Sequence, residues 1–381
     1  MKERGVTSIK SWSGPEGIEE YLAAETKGRL IQSLKSFLSS RTLKGTEVFG
    51  RRVTVESLIA RILRDLREKA ERQFGAKIDA AMAGRPVSFV GAECEADNGF
   101  AEDRLREAFT LAGYEHVEFE LEPVAAAHYY ESTLDHDELI LIGDFGGGTS
   151  DFSLLRVGPG VLKRGRTAQD LAGNSGVGIA GDAFDAKIVR NLVSPALGRG
   201  SSMRSLQKVL PAVPNWVYAK LEHWHHLSFL RTNNVIHMLS SSRAEAFEPE
   251  KIEALLHLVR EDLGYDLHRA VQKVKRDLSQ HEAAEFHFAD GYLDLRVTVQ
   301  RAAFEGWIAE ELERIEICLD GLIASSGVGR SEVDMVFLTG GSSFVPAVRA
   351  IFAKGFGAEK IRTGDEFTSV ARGLAVKAAR R

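Results

Sequence analysis

Glu138-Leu-Ile-Leu-Ile-Gly-Asp-Phe-Gly-Gly-Gly-Thr-Ser-Asp-Phe-Ser-Leu-Leu-Arg-Val157 reads as an apolar strand, a glycine turn and an alternating second strand, the signature of a hairpin. Three consecutive glycines leave their N–H groups unshielded and free to adopt positive φ, so that several can converge on one anion. Asp144, Gly146, Gly147, Gly148, Thr149 and Asp151 therefore form a candidate phosphate cradle. The carboxylates of Asp144 and Asp151 suit a Mg²⁺ held through water, and the Thr149 hydroxyl suits a terminal phosphate or an attacking water. The blander reading of the same residues is a tight turn between solvated acids.

Upstream, Arg85-Pro-Val-Ser-Phe-Val-Gly91 reads as a short strand, Ala101–Ala112 as a helix and His116–Leu121 as a strand, the order of a parallel α/β unit. Pro123 opens a further helix, with Glu122 directly before it. Between Thr54 and Phe74, Leu58, Ile59, Ile62, Leu63 and Leu66 recur at helical spacing, and Asp65/Lys69 and Glu68/Arg72 make the opposite face a solvated one. Short apolar stretches at Gly17–Ala24 and Arg29–Leu38 precede it. Downstream, residues 182–285 are mainly helical, with a proline-interrupted piece at Val209–Trp216. Strands are expected at Ala284–Phe288 and Leu293–Val299, and one long helix at Phe304–Ala324. A buried strand from Val333 then runs into Thr339-Gly-Gly-Ser342, and a helix begins near Pro346. Paired glycines between strand and helix let a flat ligand approach the backbone.

At 381 residues the chain is long enough for two domains or one bilobed body, and 44% hydrophobic with 27% charged residues supports a sizeable core. A net charge of −5 lacks the basic excess that draws proteins to nucleic acid or acidic membranes. No apolar run approaches the roughly 20 residues of a membrane span. Two cysteines, Cys94 and Cys318, are too few for a disulfide framework, which fits the cytoplasm. Neither nucleic acid nor a membrane is an expected partner.

Two patterns carry less than their form implies. Gly176-Val-Gly-Ile-Ala-Gly181 matches G-x-G-x-x-G but follows Asn174-Ser175 rather than a buried strand, the wrong setting for a dinucleotide fold. His223, His225 and His226 crowd around Trp224 without a cysteine or carboxylate pair to complete a metal sphere, and read as a polar helix face. G-x-x-x-x-G-K-[ST], H-E-x-x-H and G-x-S-x-G do not occur, which removes P-loop, metalloprotease and α/β-hydrolase chemistry.

Taken in order, these motifs resemble the actin-like ATPase superfamily, and within it the nucleotide-binding domain of DnaK-type heat-shock chaperones, especially the short YegD-like branch. Asp144–Asp151 is similar to the second phosphate loop, Glu122–Ala127 to the first connecting helix, Thr339–Pro346 to the adenosine motif and Asp365–Ala375 to the second connecting helix. Lys275-Arg-Asp-Leu-Ser279 resembles the run that contacts adenosine, and Ala180-Gly181 with Phe184-Asp185 the loop opening the helical subdomain. The likeness runs from about Ser11 to the end. It implies an α/β, two-lobed actin-like (ribonuclease H-like) fold: a first lobe over 1–136, a second over 137–381, an inserted helical subdomain at about 182–285 and a C-terminal helix at about 366–380.

The resemblance also implies ATP or ADP with Mg²⁺ between the lobes, γ-phosphate hydrolysis coupled to lobe closure, and a protein client or co-chaperone. By it, Lys35 points at the terminal phosphate, and Glu122, Asp144 and Asp151 arrange Mg²⁺ and water. Thr149 lies near the γ-phosphate, Gly146–Gly148 donate N–H groups, and Gly181, Lys275, Arg276, Ser279, Gly340, Gly341 and Ser342 hold the nucleoside. Three departures accompany it. The family's opening hairpin with Asp-x-Gly-Thr-Thr has no counterpart, so the first lobe is expected to be incomplete at its N-terminus. Phe344 replaces an arginine beside the adenine, and no peptide-clamping β-sandwich follows the last helix. Two other readings stay open: a catalytically inactive nucleotide-binding interaction module, and a small-molecule kinase on the same fold.

Overall fold

The computed structural model describes residues 10–23, 30–31, 33–205, 208–363 and 368–379, in two units: Met1–Ala83 with Gly91–Phe119, and Gly84–Val90 with Glu120–Arg381. Arg29, Asp365 and the side chain of His225 fall outside what is described.

In the first unit α1 (Gly14–Ala23) precedes a hairpin of β1 (Gly45–Val48) and β2 (Arg51–Thr54). Its turn residues Phe49 and Gly50 both have positive φ, which matches the right-handed twist of the strands. The Thr54 hydroxyl accepts the Ser57 N–H (3.1 Å) and so caps α2 (Val55–Phe74), which ends at Gly75 in the left-handed region. Leu58 and Ile59 are buried while Ile62 and Leu66 stay exposed, so only the first turns of the expected apolar stripe are covered.

β3 (Ala80–Arg85) pairs with β4 (His116–Leu121), and α3 (Glu95–Ala112) packs on α2. The strand expected at Arg85–Gly91 thus lies earlier, ending where Pro86 removes a ladder donor, and α3 begins at Glu95 rather than near Ala101. Arg104 of α3 is buried against Glu56. Its guanidinium also donates to the carbonyls of Phe37 (3.0 Å), Leu38 (3.0 Å), Ser40 (3.1 Å) and Leu43 (3.2 Å), which fixes the segment following the 3₁₀ turn Leu34–Phe37.

The second unit opens with α4 (Glu122–Glu131) and continues through β5 (Glu138–Phe145), β6 (Ser150–Val157), α5 (Pro159–Arg164), β7 (Leu171–Val177) and α6 (Gly181–Ile188). A mainly helical region follows: α7 (Ser194–Ala196), an unanticipated hairpin of β8 (Ser202–Ser205) and β9 (Lys208–Pro211), then α8 (Asn215–Leu221), α9 (Asn233–Glu245), α10 (Pro249–Arg260) and α11 (Gly264–Gln280). After the hairpin β10 (Ala283–Ala289) and β11 (Asp294–Gln300), the single helix expected near Phe304–Ala324 is two, α12 (Arg301–Trp307) and α13 (Ala309–Ser326). Ile308 breaks it by leaving the helical region while burying its side chain completely. The chain closes with β12 (Met335–Thr339), α14 (Pro346–Phe356), β13 (Ile361–Thr363) and α15 (Ser369–Ala379).

The sheet runs β13-β12-β5-β6-β7, with β13, β12 and β5 mutually parallel and β6 and β7 each antiparallel to its predecessor. Period-2 alternation divides β5 between two cores. Leu139, Leu141 and Phe145 pack with Phe352 and Leu322 on one face, and Ile140 and Ile142 with Val124 and Ala127 on the other. Both faces are covered, so the strand reads as a continuous apolar run. Gly176–Gly181 begins within β7, a strand with no buried residue, so it does not follow a buried strand. That strand is an antiparallel edge, so the parallel setting of a dinucleotide fold is still absent. Among the described residues no helix is long and apolar enough to cross a membrane.

Helices α4 and α15 touch backbone to backbone: a Cβ on Gly373 would collide with the Ala125 carbonyl oxygen. Glu120, at the end of β4, clasps the pair by accepting from Lys377 Nζ (2.6 Å) and lying 3.4 Å from His128 Nε2. Burial alone would push the Glu120 carboxyl up, yet the hydrogen bonds from His128 and Lys377 hold it at about 2.

Two outcomes are expected. Arg104→Met leaves Glu56 buried without its partner and should lower the free energy of unfolding by about 3–5 kcal/mol, read from denaturant midpoints. A carboxyl held below its unfolded value of 4.5 contributes stability that is complete above that pH and lost as pH falls through 2. Glu120→Gln should therefore remove about 3 kcal/mol near neutrality and flatten the stability–pH curve across that acid limb.

Candidate functional site

The site is built by one register. β12 lies parallel to β5 with Thr339 opposite Asp144, so the two glycine turns leave the sheet side by side at the C-terminal ends of neighbouring strands. The first closes through the Gly146 N–H donating to the Thr149 carbonyl (3.0 Å). Asp144 and Thr149 are buried at its two ends, while Gly146 and Gly147 are exposed. The second begins at Gly340, with φ of +82°, where a Cβ would strike the Phe145 carbonyl; only glycine fits. Ser342 follows, and its hydroxyl donates to the Gly146 carbonyl (3.4 Å).

A third segment enters from the start of α6. The Gly181 N–H donates to the same Gly146 carbonyl (3.4 Å), and the Asp182 N–H to the Gly147 carbonyl (2.7 Å). Lys275 Nζ, from α11, donates to the Gly181 carbonyl (3.2 Å) and pairs with the buried Asp185 (2.7 Å). A Cβ on Gly181 would stand 2.7 Å from Ser342 Oγ and 3.3 Å from Lys275 Nζ, so a bare α-carbon lets those groups converge.

The hairpin glycines differ from the expectation. Neither Gly146 nor Gly147 has a positive φ, and a Cβ on either would meet its neighbours only at ordinary contact distance, 3.6 Å from Thr149 O and 3.4 Å from Asp182 Oδ1. Neither backbone strain nor crowding inside the protein requires glycine there. What its absence of side chain provides is a bare, exposed strip of backbone.

Of the other residues singled out, Asp151 is 1% exposed and turns Oδ1 to the N–H groups of Val87 (2.9 Å) and Ser88 (3.2 Å), so it anchors that loop to β6. Glu122 begins α4 beside Gly84 and Val370. On α11, the Ser279 hydroxyl donates to the Lys275 carbonyl one turn back (3.1 Å), and Arg276 is exposed. Phe344, in the turn Gly341–Phe344, is 39% exposed. Lys35 is exposed on the turn Leu34–Phe37 of the other unit. His223 and His226 meet edge to face, and among the described residues no group of three His, Cys, Asp or Glu could hold a metal ion.

Three residues escaped the sequence reading as site members: Asp182, Asp185 and His268. Burial pushes the Asp182 carboxyl up, Asp185 adds to it, and Lys275, His268 and His223 oppose. Burial, with Lys275, holds His268 down at about 4, hence neutral at pH 7. Acids one and four residues after Gly181 were visible at Asp182 and Asp185, but nothing local connects either to helix α11.

The Hsp70 protein family model matches residues 3–201 and 259–380. Heat shock 70 kDa protein 6, chloroplastic, of Arabidopsis thaliana is 26% identical over 329 residues, covering 86% of this chain and 37% of that protein. The chain thus spans little more than a third of that relative. The mixed α/β architecture is consistent with the actin-like ATPase fold of the matched family.

The contrast among the glycines is measurable. Gly340→Ala should cost roughly 1–3 kcal/mol through strain and collision, whereas Gly147→Ala should stay within about 0.5 kcal/mol, both read from denaturant midpoints.

Proposed function

The chain belongs to the Hsp70 family, and from that premise we propose that it binds ATP and ADP with Mg²⁺ at the C-terminal ends of β5 and β12. The observation that carries this reading is the Gly146 carbonyl, which receives both the Gly181 N–H and the Ser342 hydroxyl and so joins the three glycine-bearing segments. Gly146, Gly147 and Gly148 would donate N–H groups to phosphate. Gly181, Lys275, Arg276, Ser279 and Gly340–Ser342 would hold ribose and adenine, with Phe344 offering an apolar face.

A bare glycine strip suits phosphate; Asp144, Asp151 and Glu122 would meet a hard cation only through its water shell, since no three acids among the described residues converge to hold one directly. Bound there, Mg²⁺ would neutralise charge on the phosphate oxygens. Asp144 would orient the hydrated cation, and Thr149 would meet the terminal phosphate. Hydrolysis belongs, in this reading, to a form that also carries the family's first phosphate loop. A chaperone-like role with a protein client or co-chaperone follows from the family. Placement in the short YegD-like branch rests on the resemblance of the motifs; the family match leaves residues 202–258 uncovered.

Asp144→Asn should weaken Mg²⁺-dependent ADP binding by about 10–100-fold in a calorimetric titration while leaving affinity in EDTA unchanged. Equal affinity for Mg·ADP in both proteins would contradict the role given to Asp144.

A further inference from the structure

Asp185 is a carboxylate, 3% exposed, on a helix whose first residue, Gly181, borders the proposed site. Among the described residues Lys275 is the cation that offsets it. The two meet at 2.7 Å, and the ammonium opposes the rise that burial imposes on the Asp185 carboxyl. Lys275 Nζ is thereby confined to one place: moving it would strand a buried carboxylate, a far larger penalty than losing an exposed ion pair. In that place it also donates to the Gly181 carbonyl and stands with Ser342 Oγ over the bare α-carbon of Gly181. An ammonium has three N–H donors, and the Gly181 carbonyl takes one. Nearby lie Asp182, whose carboxyl burial pushes up, and His268, whose imidazole burial holds neutral.

We propose that Asp185 is a positioning residue which, through Lys275, sets the affinity for the nucleoside half of the ligand and not for its phosphates. The inference rests on the adenine-nucleotide reading above. Phosphate would be gripped by the Gly146–Gly148 strip, which neither Asp185 nor Lys275 bonds directly. Asp185 would not touch the ligand. Its effect would pass wholly through the ammonium, and the two residues would therefore behave as one unit in a double-mutant cycle.

The test uses the 381-residue chain in four forms, wild type, Asp185→Asn, Lys275→Met and the double variant, each titrated with Mg·ADP and with Mg·pyrophosphate. The double variant removes both charges and so escapes the uncompensated burial that could unfold either single variant. Asp185→Asn should weaken Mg·ADP about tenfold, the scale of one charge-assisted contact, and leave Mg·pyrophosphate within about twofold. Adding it to Lys275→Met should change Mg·ADP affinity by less than about twofold. Parallel loss of both ligands, an unchanged ADP affinity in Asp185→Asn, or losses that multiply in the double variant would each overturn the assignment while wild-type binding stood. Failure of the wild-type chain to bind either ligand would instead overturn the nucleotide reading, and this inference with it.

Discussion

Parallel pairing of β12 with β5, in the register that sets Thr339 opposite Asp144, is the constraint on which the site depends. Because side chains alternate along a strand, a slip of one residue would turn Leu139, Leu141 and Phe145 to the face now held by Ile140 and Ile142. Both faces carry their own packed layer, so the register is set by two cores at once. The glycine turns inherit that precision: Gly340 can lie against the Phe145 carbonyl because it has no Cβ, and Ser342 then reaches the Gly146 carbonyl.

The same logic governs how the second core is closed. α15 approaches α4 closely enough that Gly373 faces the Ala125 carbonyl, and Glu120 bonds across the pair to Lys377 and His128. A helix that begins with Glu122 is thereby fixed to the sheet through contacts made more than 240 residues later in the chain. The clasp is electrostatic where the helix contact itself is steric, so acid that protonates Glu120 should loosen it.

Local chemistry was legible from the residues and long-range pairing was not. The hairpin at Asp144–Asp151 was legible because strand periodicity and turn glycines are read within twenty residues, as were α2 from its apolar spacing and the strand entering Thr339. The helix break at Ile308 was hidden because its cause is burial of one side chain, and the β1–β2 turn because Phe49 is an unusual residue at positive φ. The glycine strip has the unshielded backbone expected of it but not the positive φ, which neither Gly146 nor Gly147 adopts. Asp185 and Lys275 stand in sequence-distant helices, and only the folded chain puts a buried carboxylate beside that ammonium. Asp151 illustrates the reverse case, a residue chosen for an ion that also anchors Val87 and Ser88.

The central claim is that the turns at Gly146–Gly148 and Gly340–Ser342 form one ligand surface. Amide hydrogen exchange, read at residue level with and without saturating Mg·ADP, tests it most directly. The account predicts that the N–H groups of both turns gain protection together and over the same nucleotide concentrations. Protection confined to one turn, or absent from both in a chain that binds nucleotide elsewhere, would contradict it.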